Sequence, residues 1–137
     1  MEIREVMAEG NLALWERLAD AIATEHEVVV VEPPATGLVM MHARDSVRDT
    51  PFCLGEVLIT RATVTINGVA GYGFALEEDG VRAMCVAVLD AALAAALPES
   101  EEILPVVGGE SRRLMERRRQ ENLLLAGSKV RFAIMEG

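Results

Sequence analysis

Aromatic residues are scarce in this chain, at 4%, so its core must be built from aliphatic side chains and no surface of interleaved rings and cations is available for stacking on bases. A formal net charge of -9 argues further against a nucleic-acid partner, since phosphate backbones demand a basic footprint. Cysteine is equally sparse: Cys53 and Cys85 are too few for a disulfide framework. The two histidines, His26 and His42, lack a short spacing to each other or to a cysteine. A metal site is therefore poorly supported, and no cofactor is assigned. No phosphate-cradling glycine loop or nucleophile elbow occurs, Gly108-Gly109 does not follow a strand, and Ser46, Ser100, Ser111 and Ser128 have no base beside them. The residues by themselves name no catalytic group. The most apolar stretch, Ala83 to Leu97, is interrupted by Asp90 and falls short of the roughly 20 residues of a membrane span. The N-terminal MEIREVMAEG is acidic where a secretory leader is basic. The expectation is a cytoplasmic protein with reduced thiols, Cys85 serving as inert helix packing.

What the chain has in abundance is aliphatic side chains: hydrophobic residues reach 51% in a protein of 137 residues. That length fits one domain, 1–137, with a real core. A small domain buries a limited fraction of its surface, so the excess points to apolar area that meets a partner.

Helix is expected over the first 25 residues with a break at Gly10-Asn11, where Gly closes one helix and Asn caps the next. Leu14, Leu18 and Ile22 then form an apolar stripe. Four valines between Glu27 and Glu32 read as a short strand ended by Pro33-Pro34, a second strand runs from Gly37 to about Arg44, and DSVRDTP is a polar turn. A long strand from about Leu54 to Ile66 leads into the strongest local signal. Asn67-Gly68 sits between two alternating β-branched runs, and a two-residue type I′ hairpin wants positive φ at both positions. The turn sets a register: Ile66 opposite Val69, Val64 opposite Gly71, Ala62 opposite Gly73 and Thr60 opposite Ala75 on a small, smooth face. Arg61 opposite Phe74, Thr63 opposite Tyr72 and Thr65 opposite Ala70 make the bulkier face. Glycines are poor strand residues unless something approaches closely. Ala83, Ala87, Ala91 and Ala94 of a helix beginning at Asp79-Gly80 supply the approaching surface.

Pro98 stops that helix, a short acidic segment follows, and a further helix is expected from about Glu110 to Ala126. After Gly127, Lys129 to Met135 alternates as a last strand. The sum is a single α+β domain, a largely antiparallel sheet of four to five strands with helices grouped around it.

Arg112, Arg113, Arg117, Arg118 and Arg119 form the conspicuous charge cluster, with Glu116 and Glu121 among them. Helical spacing spreads these groups around the circumference, which suits a solvated, ion-paired helix; a docking or anion-facing surface is the sharper alternative. Glu56 and Arg61 are the other polar residues of interest, on opposite faces of one strand. A structural role outweighs catalysis for Glu56.

The ordered blocks TGLVMMHAR, FCLGEVLITRATVTINGVAGYGFAL and DGVRAMCVAVLDAAL, with the tail ENLLLAGSKVRFAIMEG, resemble the PhnG subunit family of the bacterial carbon-phosphorus lyase system over nearly the whole chain. Glu77 and Glu78 stand before Asp79 where the family often has a glycine and a basic residue. Met84 lies near a position that is often Glu. The resemblance implies phosphonate catabolism, in which PhnG acts with PhnH, PhnI and PhnL to make α-D-ribose 1-methylphosphonate 5-triphosphate from ATP and methylphosphonate, releasing adenine. PhnJ is implied as a neighbour in the core assembly. Displacement at the ribose anomeric carbon needs an acid for the departing base, stabilisation of an oxocarbenium-like centre and cations for the triphosphate. The chain offers no constellation for the first two, in keeping with the association of nucleosidase activity with PhnI. The resulting reading is a non-catalytic, accessory chain of a transferase complex. Arg61, Tyr72, Phe74, Arg113, Arg117 and Arg118 are its candidate interface residues, and Glu56 and Arg61 its candidate substrate-proximal ones. The other readings are a stand-alone phosphonate- or nucleotide-binding domain and a structural homo-oligomer.

Overall fold

The computed structural model describes residues 2–44 and 51–136, with side-chain surroundings over 2–40 and 55–125. In chain order the elements are α1 (Ile3–Glu9), α2 (Leu12–Glu25), β1 (Val28–Arg44), β2 (Pro51–Ile66), β3 (Val69–Leu76), α3 (Gly80–Ala94) and α4 (Ser100–Glu136). The polar turn expected at 45–51 falls, except for Pro51, outside the described residues, as do the side chains of His42, Ser46, Cys53 and Ser128.

The class is α+β, but among the described residues the sheet has three antiparallel strands in the order β1-β2-β3, not four to five. Two sequence signals misled. Pro33-Pro34 does not end a strand, because β1 lies at the sheet's edge, where a residue without an N–H forfeits no obligatory ladder bond. Register shifts between Val30 and Glu32 and between Glu32 and Ala35 absorb the extra residues, so one bulged strand replaces two. Lys129 to Met135 does not form a strand either; it continues α4 to Glu136. A strand there would need an open edge, yet β1 is bulged at its prolines and the Tyr72 amide of β3 already donates to Asp90 Oδ2 at 2.8 Å. A helix closes its backbone bonds within itself.

The helix expected to begin near Glu110 starts instead at Ser100 and runs through Pro105 and Gly108-Gly109. Pro105 lies near its N-terminus, where the lost bond costs least. Ile103, Val107, Glu110 and Leu114, all buried, recur at spacings of four, three and four and hold one face against the body.

The hairpin follows the turn. Asn67 and Gly68 have φ of 52° and 78°, and the pairs run from Ile66 opposite Val69 to Thr60 opposite Ala75 in the expected register. α3 then lies against the small face. A Cβ on Gly71 would collide with the Ala87 carbonyl and the Ala91 amide, and one on Gly73 with the Ala83 carbonyl and, at 2.6 Å, the Ala87 amide. Ala83, Ala87 and Ala91 are fully buried, whereas Ala94 has rotated off this face and is exposed. On its other side α3 meets α2 and α4. The buried stripe of α2 is Trp15, Leu18, Ala19 and Ile22, and Leu14, expected in it, is only half-buried.

Polar pins tie the helices to this core. Asn11 caps α2 by accepting from the Ala13 amide at 3.1 Å, and Asp79 caps α3 by accepting from the Arg82 amide at 3.1 Å. Arg82 donates from Nη1 to the Met7 and Gly10 carbonyls, each at 2.8 Å, closing the C-terminal end of α1. The buried Thr60 hydroxyl donates to the Glu77 carbonyl at 2.6 Å and accepts from the Asp79 amide at 3.1 Å, clasping the turn between β3 and α3. Glu110, buried on α4, accepts from the Asn11 amide and from the Arg113 guanidinium. The Arg113 hydrogen bonds, helped by the Asn11 amide and opposed by burial, hold its carboxyl below the usual range.

Gly73→Ala is expected to destabilise the protein by about 3 kcal/mol or more, because backbone of α3 must move to admit the methyl. Gly37→Ala, where nothing lies within 4 Å, stays within about 0.5 kcal/mol; urea denaturation checks both. Glu110→Gln tests the pin by pH. A carboxyl whose folded pKa is depressed adds stability above its unfolded pKa, about 4.3, and loses it as pH falls through the folded value. Wild type therefore exceeds Glu110→Gln at pH 7, and the two stabilities converge below the usual carboxylate range. A gap independent of pH would show that ionised Glu110 is not the contributor.

Candidate partner interface

Because α3 covers one face of the sheet, the opposite face is left to solvent. Strict alternation places Arg61, Thr63 and Thr65 of β2 there, opposite Phe74, Tyr72 and Ala70 of β3. β1 extends the face with Ala35 opposite Arg61 and Val29 opposite Thr65. Tyr72 is 51% and Phe74 43% exposed. α1 reaches only the β3 edge, where Ile3 and Met7 join Tyr72 and Phe74 around a cavity of about 100 Å³.

β1 and β2 also outrun β3. Beyond the pair Ile59 and Leu76 the two strands continue alone as an arm, from Leu38 opposite Leu58 to Arg44 opposite Pro51. Apolar side chains on both faces of this ribbon are uncovered: Leu38 is 64%, Met40 55% and Val39 47% exposed. A two-stranded ribbon is marginal in water on its own, and contiguous exposed apolar surface marks an interaction site. Sequence reading did not single out Leu38, Met40 or Leu58. The signal was present, since the runs flanking the polar turn are about twice as long as the strand after Asn67-Gly68.

Arg61 is in no ion pair or hydrogen bond among the described residues, and it borders a cleft of about 170 Å³ whose other walls include Ala35, Gly37, Val39 and Ile59. Glu56 is exposed and lies opposite Met40, on the other face of β2. Five residues at about 3.3 Å each put it roughly 17 Å along the strand from Arg61. The two candidate substrate-proximal residues are not brought together.

The arginines of α4 stand apart from the hairpin, and four of the five in the cluster are occupied. Arg113 pairs with Glu110, Arg117 with Glu121 at 3.4 Å, Arg118 with Glu9 at 2.6 Å and Arg119 with Glu116 at 3.2 Å. The last three pairs are exposed on both sides and add little stability each, but all four neutralise guanidinium groups that an anion would need. His26 Nε2 lies 3.0 Å from both Glu99 oxygens, joining the end of α2 to the start of α4. Hydrogen bonding to its own backbone amide and then to His26, against partial burial, keeps the Glu99 carboxyl below its ordinary range. Cys85 is half-buried on α3, and burial, then the negative charges of Glu16 and Asp20, push its thiol up to about 11. Among the described residues no three His, Cys, Asp or Glu side chains converge to hold a metal ion, and no helix is long and apolar enough to cross a membrane.

Comparison with known proteins gives two findings. A family model described as phosphonate metabolism protein PhnG matches residues 2–137. A protein of Rhizobium meliloti (strain 1021) named alpha-D-ribose 1-methylphosphonate 5-triphosphate synthase subunit PhnG is 40% identical over 89 residues, 64% of this chain and 54% of that protein. The chain thus aligns with about half the length of this curated relative.

The raised thiol pKa has a direct readout. In a Cys53→Ser background, Cys85 of the folded protein should react with iodoacetamide at pH 8 roughly two orders of magnitude more slowly than in urea, because only the thiolate is nucleophilic. Equal rates would show an accessible, ordinary thiol.

Proposed function

Since the chain belongs to the PhnG family of phosphonate metabolism proteins, we propose that it is an accessory, non-catalytic subunit of an α-D-ribose 1-methylphosphonate 5-triphosphate synthase. That assembly transfers methylphosphonate to the ribose C1 of ATP with release of adenine, and PhnI, PhnH, PhnJ and PhnL are the partners this reading gives it. The observation that carries the reading is the uncovered arm and outer sheet face, which display Leu38, Met40, Tyr72 and Phe74 to solvent. Interfaces are enriched in aromatics, Met and Arg at their centres; the outer face presents Tyr72, Phe74 and Arg61, and the arm adds Leu38 and Met40 on its other side.

The side chains of the chain point the same way. Anomeric displacement calls for an acid poised near the departing base and for free cations at the triphosphate. Glu110 is buried in a structural pin, the Cys85 thiol is held protonated, and four of the five clustered α4 arginines are paired with glutamates. The same pairing weighs against a stand-alone phosphonate- or nucleotide-binding domain.

Co-expression with the partner subunits, followed by size analysis and adenine-release assays, tests this. Wild type should co-purify in an active complex. Leu58→Asp on the arm and Phe74→Asp on the sheet face should each weaken association at least tenfold, with adenine release falling only in proportion to the complex formed. A chain that never joins the partners, or variants that assemble fully yet release no adenine, would overturn the accessory reading.

A further inference from the structure

The accessory reading leaves open what the partner must present to this surface, and Arg61 constrains the answer. It is the charged side chain of the cleft formed by Ala35, Gly37, Val39 and Ile59. The nearby acidic residue of the same sheet, Glu32, is engaged by the Thr63 hydroxyl at 3.3 Å and lies opposite Thr63, not Arg61. Among the described residues, the chain therefore brings a guanidinium to an apolar surface without supplying its counter-ion.

Covering that surface with a purely apolar partner would strip Arg61 of water with no compensation, which is costly for a charge. A carboxylate removes the difficulty, because the planar guanidinium can engage both of its oxygens at once. The size of the cleft narrows the source. Small-molecule sites commonly span about 300–1,000 Å³, and this one is about 170 Å³. It suits one acidic side chain better than a nucleotide triphosphate.

We propose that the Arg61 cleft receives an aspartate or glutamate side chain projecting from an otherwise apolar surface of a partner subunit. This rests on the accessory-subunit reading. In a complex so formed, Phe74 and the arm supply apolar contact, and the carboxylate with Arg61 sets the register between the two chains.

The test measures affinity of the full chain for the co-expressed partner subunits with Arg61→Ala, Arg61→Lys and Arg61→Glu, each first shown to melt like wild type. Arg61→Ala is expected to weaken association ten- to a hundredfold, Arg61→Glu more, and Arg61→Lys less than Arg61→Ala. Replacing surface acids of the partners by Arg, one at a time, should find one change that restores binding of Arg61→Glu. If wild type assembles and Arg61→Glu binds within twofold of it, the inference fails while the accessory reading stands. If Arg61→Glu assembles normally but the complex loses its thermal stabilisation by ATP, the cleft serves a nucleotide anion and the inference also fails. If wild type does not assemble at all, both fall together.

Discussion

The close seating of α3 on Gly71 and Gly73 is the contact from which the rest of the architecture follows. Backbone of the helix approaches backbone of the strand with no room for a Cβ between them. Only Gly on the strand and Ala on the helix tolerate such proximity, which accounts for the run of Ala83, Ala87 and Ala91. Because α3 also packs against α2 and α4, it is buried on two sides. The helices are thereby collected on one face of the sheet, and the bulky face of the hairpin is left bare.

That asymmetry explains how a chain poor in aromatics can place two of them, Tyr72 and Phe74, in the open. The core does not need them. Val64, Ile66, Leu89, Ile103 and Trp15 fill it, and the pins at Thr60, Arg82 and Glu110 orient the helices around it. Each pin joins segments distant in sequence: Arg82 reaches the end of α1, and Glu110 reaches the loop before α2. These pins and the core side chains lie apart from the exposed side chains of the arm and the outer face.

For a subunit of this family the division is functionally coherent. Glu110, Arg82 and Asp79 of the body are committed to structure, and on the outer face the Arg61 guanidinium has no partner among the described residues. Such a surface suits the accessory role proposed above. The α4 arginines, conspicuous as a charge cluster in sequence, are largely quenched by glutamates of their own helix and of α1.

What the sequence determined by itself was local. Asn67-Gly68 and the alternation around it specified the turn, the register and both faces of the hairpin, because side-chain direction in a strand and φ at a two-residue turn are set by immediate neighbours. The glycine and alanine spacings even announced the helix on the small face. Family membership was readable in the order of its blocks. The number of strands, the course of α4 and the exposure of the candidate site were decided by tertiary structure. Pro33-Pro34 was tolerable only because β1 is an edge, and Lys129–Met135 had no edge to join. Alternation already separated Glu56 from Arg61, but Arg61 was left without a partner among the described residues only once the fold had placed Glu32 against Thr63. Pairing and burial depend on which distant segments meet, and no local pattern encodes that meeting.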